Sequence, residues 1–206
     1  MNAAGGTIAV LDYGIGNLRS AERALAHVGA AARLVTDPAR VKGAAGVVLP
    51  GVGAFGPCAD ALARTGLGAA ALAAIDAGVP FLGICVGFQL LYDGSEEAPG
   101  RAWLGVLSGT VRRLPPSVKV PQMQWNVLEP VRPSGLLEGV GEEPWVYFVH
   151  SYAPEVGPET VATCDYGGAT AAAAETDGVW GTQFHPEKSG ATGLAILANF
   201  VARCAP

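Results

Sequence analysis

The sequence predicts an α/β fold: one doubly wound, mostly parallel sheet, with extra antiparallel strands in its C-terminal half. Three observations carry that reading. The first half alternates short, continuously apolar runs with segments of helical periodicity, the pattern of strands buried on both faces and joined by helices. The second half is richer in strand-like runs. The chain has 206 residues, 50% hydrophobic and 15% charged, a balance that suits a large buried core and excludes a disordered chain. A length near 200 corresponds to one domain, expected to span 1–206 with its core at about 7–203.

The elements follow in order. Ile8–Leu11 is a short β-type run that stops at Asp12-Tyr13-Gly14. Leu18, Ala21, Leu25 and Val28 then recur at helical spacing, with Asn17 as candidate N-cap and Gly29 as the stop. Val47-Val48-Leu49 is a second buried strand, ended by Pro50-Gly51-Val52-Gly53. Residues 59–77 read as helix, with interruptions expected at Gly66 and Gly68. Residues 79–84 form a third strand, and 87–92 begin another helix. In the second half, 110–114 alternate as a strand does, and 145–149 and 178–184 are strong β runs. The alanine-rich stretch 169–174 lies between strand-like segments, and a final helix carries Leu194, Leu197 and Val201 on one face. Gly 29 and Pro 15 make up about a fifth of the chain, which implies many tight turns, and no segment is long enough to be a linker.

Composition narrows the function. With 13 basic and 18 acidic residues the net charge is −5, which argues against a broad phosphate-binding surface and so against a nucleic-acid partner. The most apolar stretch, 68–85, holds Asp76, Gly78 and Pro80, so no membrane span is expected. Residues 1–6 lack the basic region and apolar run of a signal peptide, and the expected location is the cytoplasm. Cys58, Cys85, Cys164 and Cys204 are widely spaced, with no CxxC and no close Cys/His pair. That is neither a disulfide framework nor a zinc pattern, so reduced thiols, no metal and no cofactor are expected.

The most informative segment is Gly83-Ile84-Cys85-Val86-Gly87-Phe88-Gln89. Cys85 sits where a buried strand stops and a helix starts, with glycine on either side, as in the cysteine form of a nucleophile elbow. So sharp a turn strains the central residue, and flanking glycines give it room. The sulfur is pushed clear of the sheet at a helix N-terminus, whose partial positive charge favours a thiolate. The Val86 N–H points toward where an oxyanion would form. A buried structural cysteine between packing glycines is the plainer alternative.

A nucleophilic thiol needs a base, and there are three histidines. His27 lies near the end of the first helix and reads as a surface residue. His150 follows a long strand; it either lines a site there or satisfies its nitrogens with backbone. His185 sits in Gln183-Phe184-His185-Pro186-Glu187-Lys188, where Pro186 places the chain at an edge or leaving the sheet. In extended backbone His185 and Glu187 would share a face, so the carboxylate could fix the imidazole tautomer. Surface His/Glu pairs with the same spacing are common. Pro50-Gly51-Val52-Gly53 also follows a strand and reads equally as an oxyanion hole, a carboxylate nest or a plain tight turn. Asp12-Tyr13-Gly14-Ile15-Gly16-Asn17 lacks the third glycine of a dinucleotide fingerprint, since position 19 is Arg.

Taken together, Pro50-Gly51-Val52-Gly53, the elbow at 83–87 and His185-Pro186-Glu187 resemble the class I, triad-type glutamine amidotransferases, a flavodoxin-like fold. The strings Asp12 to Leu18, Leu49 to Phe55, Trp125-Asn126, Tyr147 to Tyr152 and Gln183 to Gly190 are similar to the glutaminase-subunit (HisH) branch that serves imidazole glycerol phosphate synthase. The resemblance runs from about Ile8 to Phe200. It implies that Cys85 attacks the carboxamide of glutamine, that His185 moves the protons and that Glu187 orients His185. It also implies oxyanion donors at Val86 and at Val52 or Gly53, contacts to bound glutamine from Gln89, Glu97 and Ser151, and hydrolysis of a γ-glutamyl thioester. Ammonia would pass to a HisF-type cyclase in a heterodimer, giving imidazole glycerol phosphate and aminoimidazole carboxamide ribonucleotide in histidine biosynthesis. One α/β domain of this length leaves no residues for an ammonia acceptor, so the synthase is expected to be another chain.

The chain departs from the family's usual Val-Pro-His-Met-Gly-Trp-Asn, reading Val120-Pro121-Gln122-Met123-Gln124-Trp125-Asn126 instead. This segment is expected near the partner or the ammonia path. The elbow has Val86 and Phe88 where Leu and Met are usual. The competing readings are a glutaminase serving another synthase (anthranilate, pyridoxal phosphate or nonulosonate pathway), a catalytically silent subunit, and a free γ-glutamyl cysteine hydrolase.

Overall fold

The computed structural model describes residues 6–101 and 104–204. In chain order the elements are β1 (Ile8–Leu11), α1 (Leu18–His27), β2 (Ala32–Val35), β3 (Gly46–Gly51), α2 (Phe55–Thr65), α3 (Leu67–Asp76), β4 (Phe81–Cys85), α4 (Val86–Gln89), β5 (Tyr92–Ser95) and β6 (Leu107–Arg113). They continue with β7 (Gln122–Val127), β8 (Glu129–Pro130), β9 (Trp145–His150), β10 (Tyr152–Pro154), β11 (Thr160–Asp165), β12 (Ala169–Thr176), β13 (Val179–Thr182) and α5 (Gly190–Arg203).

Eight strands form one sheet in the order β2-β1-β3-β4-β13-β12-β11-β8. The first five run parallel, and β12, β11 and β8 extend the sheet by antiparallel pairing. The architecture is therefore the doubly wound sheet with an antiparallel extension that the apolar pattern predicts. Every residue of β1, β3, β4 and β13 is buried, as continuous apolar runs require when both faces are covered. Helix α1 packs against α5, and α2 against α3 and α4. A second sheet joins β10, β6 and β5, and β7 pairs with β9 as a separate antiparallel ribbon. Among the described residues no single helix is long and apolar enough to cross a membrane.

Register decides what the sheet presents at its C-terminal edge. Gly51 pairs with Cys85, and Ile84 pairs with both Pro50 and Thr182. The exits of β3, β4 and β13 therefore lie side by side, with β4 in the middle. The crevice beyond the carboxyl ends of parallel strands is where such sheets bind ligands.

Several local expectations are corrected. The second helix starts at Phe55, ahead of the expected 59. Gly66 alone breaks it, in the left-handed conformation at φ 74°, while Gly68 stays inside α3. The helix expected over 87–92 is the single turn α4, and Tyr92 already belongs to β5. An uninterrupted buried run carries no period, so strand and helix look alike there. The short strand β2 was not expected; it is an edge strand with only its two end residues buried. Residues 169–174, expected only to lie between strands, are most of strand β12. Alanine is a poor strand former, yet 171–174 are fully buried between β11 and β13, where tertiary packing overrides propensity.

Candidate active site

Strand β4 ends on Cys85, which takes φ 56° and ψ −111°. That conformation costs a non-glycine residue about 1–3 kcal/mol and persists only where the surroundings enforce it. The surroundings are close. A Cβ on Gly87 would run into the carbonyl oxygen of Leu49 on β3, and one on Gly83 would lie 2.8 Å from the Gly87 carbonyl. The two glycines let α4 rest directly on the sheet, and the turn between them puts Cys85 at the strand's end.

His185 arrives from β13. Its backbone N–H donates to the Tyr147 carbonyl at 3.0 Å. Its own carbonyl accepts from the Ser189 hydroxyl at 2.6 Å, and that hydroxyl also accepts from the Tyr147 N–H at 3.0 Å. The imidazole Nδ1 lies 2.8 Å from Glu187 Oε1, and both side chains are 2% exposed. A carboxylate oxygen only accepts, so Nδ1 carries a proton and Nε2 is the ring atom left for proton transfer. The sequence argument for this pair assumed extended backbone. Residues 186–188 form a 3₁₀ turn instead, and the turn brings the two side chains together. Burial works against the imidazolium, but the neighbouring Cys85, and then the hydrogen bond and charge of Glu187, outweigh it and hold His185 well above the ordinary histidine range.

One cavity of about 570 Å³ collects the predicted residues. Cys85, His185, Val86, Val52, Gly53, Gln89, Glu97 and Ser151 all line it. Glu187 does not line it, but its Oε1 bonds His185, which does. The exit of β3 is tied down by side chains: Tyr13 OH donates to the Pro50 carbonyl at 2.7 Å, and the Cys58 thiol donates to the Val52 carbonyl at 3.3 Å. Gln89 Nε2 donates to the Tyr152 carbonyl at 2.8 Å and to Gln183 Oε1 at 3.0 Å. Glu97 accepts the Phe55 N–H at 3.1 Å, at the first residue of α2.

Asn17 and Gln183 gain importance that their sequence positions did not announce, and the two readings of His150 are resolved. Asn17 makes no side-chain cap at α1; its Nδ2 donates to Glu187 Oε1 at 3.4 Å. His150 does both things open to it. Its Nδ1 donates to the Tyr152 carbonyl at 2.9 Å, and the ring lines the cavity with a buried Nε2 that has no protein partner. Burial, and then the nearby His185, push its pKa down to about 4, so the ring is neutral. Gln183 lies beneath Cys85, with its Nε2 3.8 Å from Sγ. A polar residue inside an apolar run, two positions before His185, is the one signal that could have drawn attention to it. His27 is exposed at the end of α1, as expected.

The segment from Val120 to Asn126 divides between inside and outside. Gln122 is fully buried, while Met123 and Trp125 are 63% and 48% exposed. Cys58, Cys164 and Cys204 are buried free thiols. Among the described residues no group of three or more His, Cys, Asp and Glu is placed to hold a metal ion.

Chemically, the arrangement offers a strained, buried thiol, an imidazole fixed by a carboxylate, and the first residues past β3 and β4 at the rim of a cavity with room for a small polar molecule. Comparison with known proteins agrees with that chemistry. The family described as glutamine amidotransferase class-I matches residues 9–204. A Deinococcus radiodurans protein named imidazole glycerol phosphate synthase subunit HisH is 49% identical, covering 97% of this chain and 94% of its own. Proteins of the same name from Methanothermobacter thermautotrophicus and Salinibacter ruber are 50% and 46% identical, each over 94% of this chain. Among solved structures, one described as a glutamine amidotransferase superimposes with a TM-score of 0.77 at 21% identity, covering 97% of this chain and 99% of its own. PurLQS from Thermotoga maritima gives 0.76 at 21% identity, covering 96% and 98%. At that identity the two structures speak for the fold alone.

Proposed function

The chain belongs to the class-I glutamine amidotransferase family, and from that premise we propose that it is the glutaminase subunit of an imidazole glycerol phosphate synthase, acting in histidine biosynthesis. The observation that carries the reading is the convergence of Cys85, His185 and the exit of β3 on one cavity, with Glu187 locked to the far side of the imidazole.

The chemistry follows from the geometry. His185 Nε2 takes the Cys85 proton, and the thiolate attacks the side-chain carbonyl of glutamine. Negative charge develops on that oxygen, where the N–H of Val86 and that of Val52 or Gly53 stabilise it. The imidazolium, oriented by Glu187, returns the proton to the departing nitrogen, and ammonia leaves. Water, activated by His185, hydrolyses the γ-glutamyl thioester to glutamate and restores the thiol. Gln89, Glu97 and Ser151 hold the amino-acid end of the substrate.

The acceptor of ammonia is a HisF-type cyclase, bound on the ribbon of β7 and β9. Register places Met123 opposite Val149, Trp125 opposite Tyr147 and Val127 opposite Trp145, so these six side chains share the outer face. Met123, Trp125 and Trp145 are about half exposed or more, a contiguous apolar surface of the kind that marks an interface. Val149 belongs to this face and also lines the cavity. Ammonia formed at Cys85 is thus released next to the docking surface.

The test is glutamate release from glutamine with and without a HisF-type cyclase and its ribonucleotide substrate. Strong stimulation with imidazole glycerol phosphate formed supports the reading. Full activity without a partner supports a free hydrolase, and silence with the cyclase supports a subunit of another synthase.

A further inference from the structure

Gln183 is the first residue past β13, and its backbone N–H donates to the Ala172 carbonyl at 2.8 Å, so the sheet fixes where it stands. Its side chain is 1% exposed. The amide orientation is dictated step by step. The Tyr152 carbonyl can only accept, so the Gln89 atom 2.8 Å from it is the donor Nε2. That same Nε2 lies 3.0 Å from Gln183, which must therefore present Oε1 to it. Gln183 Nε2 then faces the other way, where Cys85 Sγ lies at 3.8 Å. Reversing the amide would set donor against donor and an oxygen lone pair against the sulfur. Both partners of Gln183 are buried, so neither contact is exchanged for water at low cost.

We propose that Gln183 is a working part of the site: an N–H donor to Cys85 Sγ that stabilises the thiolate once His185 has taken the proton, held in that orientation by Gln89. The inference rests on the glutaminase reading, which supplies the role of Cys85, and deepens it by linking nucleophile and substrate pocket through one amide chain. With both of its amide protons committed, Gln89 has only its carbonyl oxygen to offer a ligand. A substrate N–H bonded there polarises Gln89, and through it Gln183, toward stronger donation at the sulfur.

The experiment is alkylation of the full-length chain by iodoacetamide, followed by mass across a pH series, with Cys85→Ala giving the background from the buried Cys58, Cys164 and Cys204. Gln183→Leu removes the donor. Gln183→Glu keeps the shape and the bond from Gln89 but turns an acceptor toward the sulfur. Both should slow Cys85 alkylation at neutral pH by about tenfold, the glutamate variant more, and move the half-maximal rate to higher pH. In glutamine hydrolysis kcat should fall about tenfold, with KM changed less than about threefold. Wild-type alkylation rate and pH profile in a folded Gln183→Leu chain would overturn the proposal; if that chain does not fold, the same outcome in Gln183→Glu overturns it. Alkylation reads the sulfur whether or not glutamine is the substrate, so it separates this proposal from the glutaminase reading.

Discussion

Gly51 on β3 stands directly across from Cys85 on β4 in the sheet register. The residue after each then sits at the rim of the same cavity, Val52 on one strand exit and Val86 on the other. A Cβ at Gly51 would lie 2.8 Å from the Gly87 nitrogen and 2.9 Å from the Tyr13 hydroxyl. Strand pairing and the thinness of glycine thus set where the two strand exits that carry the candidate oxyanion donors stand.

The same thinness makes the elbow sensitive. Gly87→Ala forces a methyl group into the Leu49 carbonyl oxygen, so either α4 lifts off the sheet or the turn at Cys85 opens. Overpacking of this kind costs about 1–3 kcal/mol. Thermal melting should drop by several degrees and glutamine hydrolysis by more than about a hundredfold. A variant with normal melting and normal turnover would show that close contact at Gly87 does not set the site.

On the proposed mechanism, Glu187 helps to set the alkaline side of the pH profile. Cys85 and then Glu187 hold the histidine above its ordinary range, so the proton that His185 takes from Cys85 stays on the ring at neutral pH until it is returned to the leaving nitrogen. Activity should persist above neutrality and decline as pH rises through the His185 value. Glu187→Gln removes the charge that favours the imidazolium, so this decline should begin at lower pH, and kcat should fall about a hundredfold or more. An alkaline limb that does not move would remove Glu187 from this role.

His150 predicts acid sensitivity of the fold. Its pKa is about 4 in the folded chain against an ordinary 6.5, because burial and His185 disfavour its charge. The unfolded chain therefore binds the proton more readily, and stability is lost as pH falls from about 6.5 toward 4. The loss should approach roughly 3 kcal/mol. In urea titrations, His150→Phe should flatten the dependence in that window. Equal slopes in both chains would mean that other groups cause the acid sensitivity.

Asn17 acts at a distance from the sulfur. Its side chain gives Glu187 a second donor and gives α1 no cap, so Asn17→Ala should lower kcat by about fivefold while leaving KM and melting near wild type. A large loss of stability with unchanged kcat would instead make Asn17 a residue of the helix.

How much of this was legible depended on what kind of signal each residue leaves. Strands β1, β3 and β4 are continuous apolar runs between glycines, and the elbow at 83–87 is a chemical spacing as well as a structural one, so both could be read directly. Strand β2 is short and at an edge, and the alanines of β12 are strand residues only because β11 and β13 flank them. Neither fact is local. His185 and Glu187 were paired on the right residues by the wrong geometry, since any tight turn can join positions two apart. Asn17 and Gln183 could be placed on elements but not in the site. Their partners lie 170 and 98 positions away, and only the register of the strands and the packing of α1 bring them together.

The most direct measurement compares two nitrogen sources in the assembled synthase. Cys85→Ala in complex with a HisF-type cyclase should form no imidazole glycerol phosphate from glutamine, yet form it at the wild-type rate from an ammonium salt. Loss of both activities, or retention of the glutamine-dependent one, would contradict a Cys85 thioester that feeds ammonia to a separate cyclase.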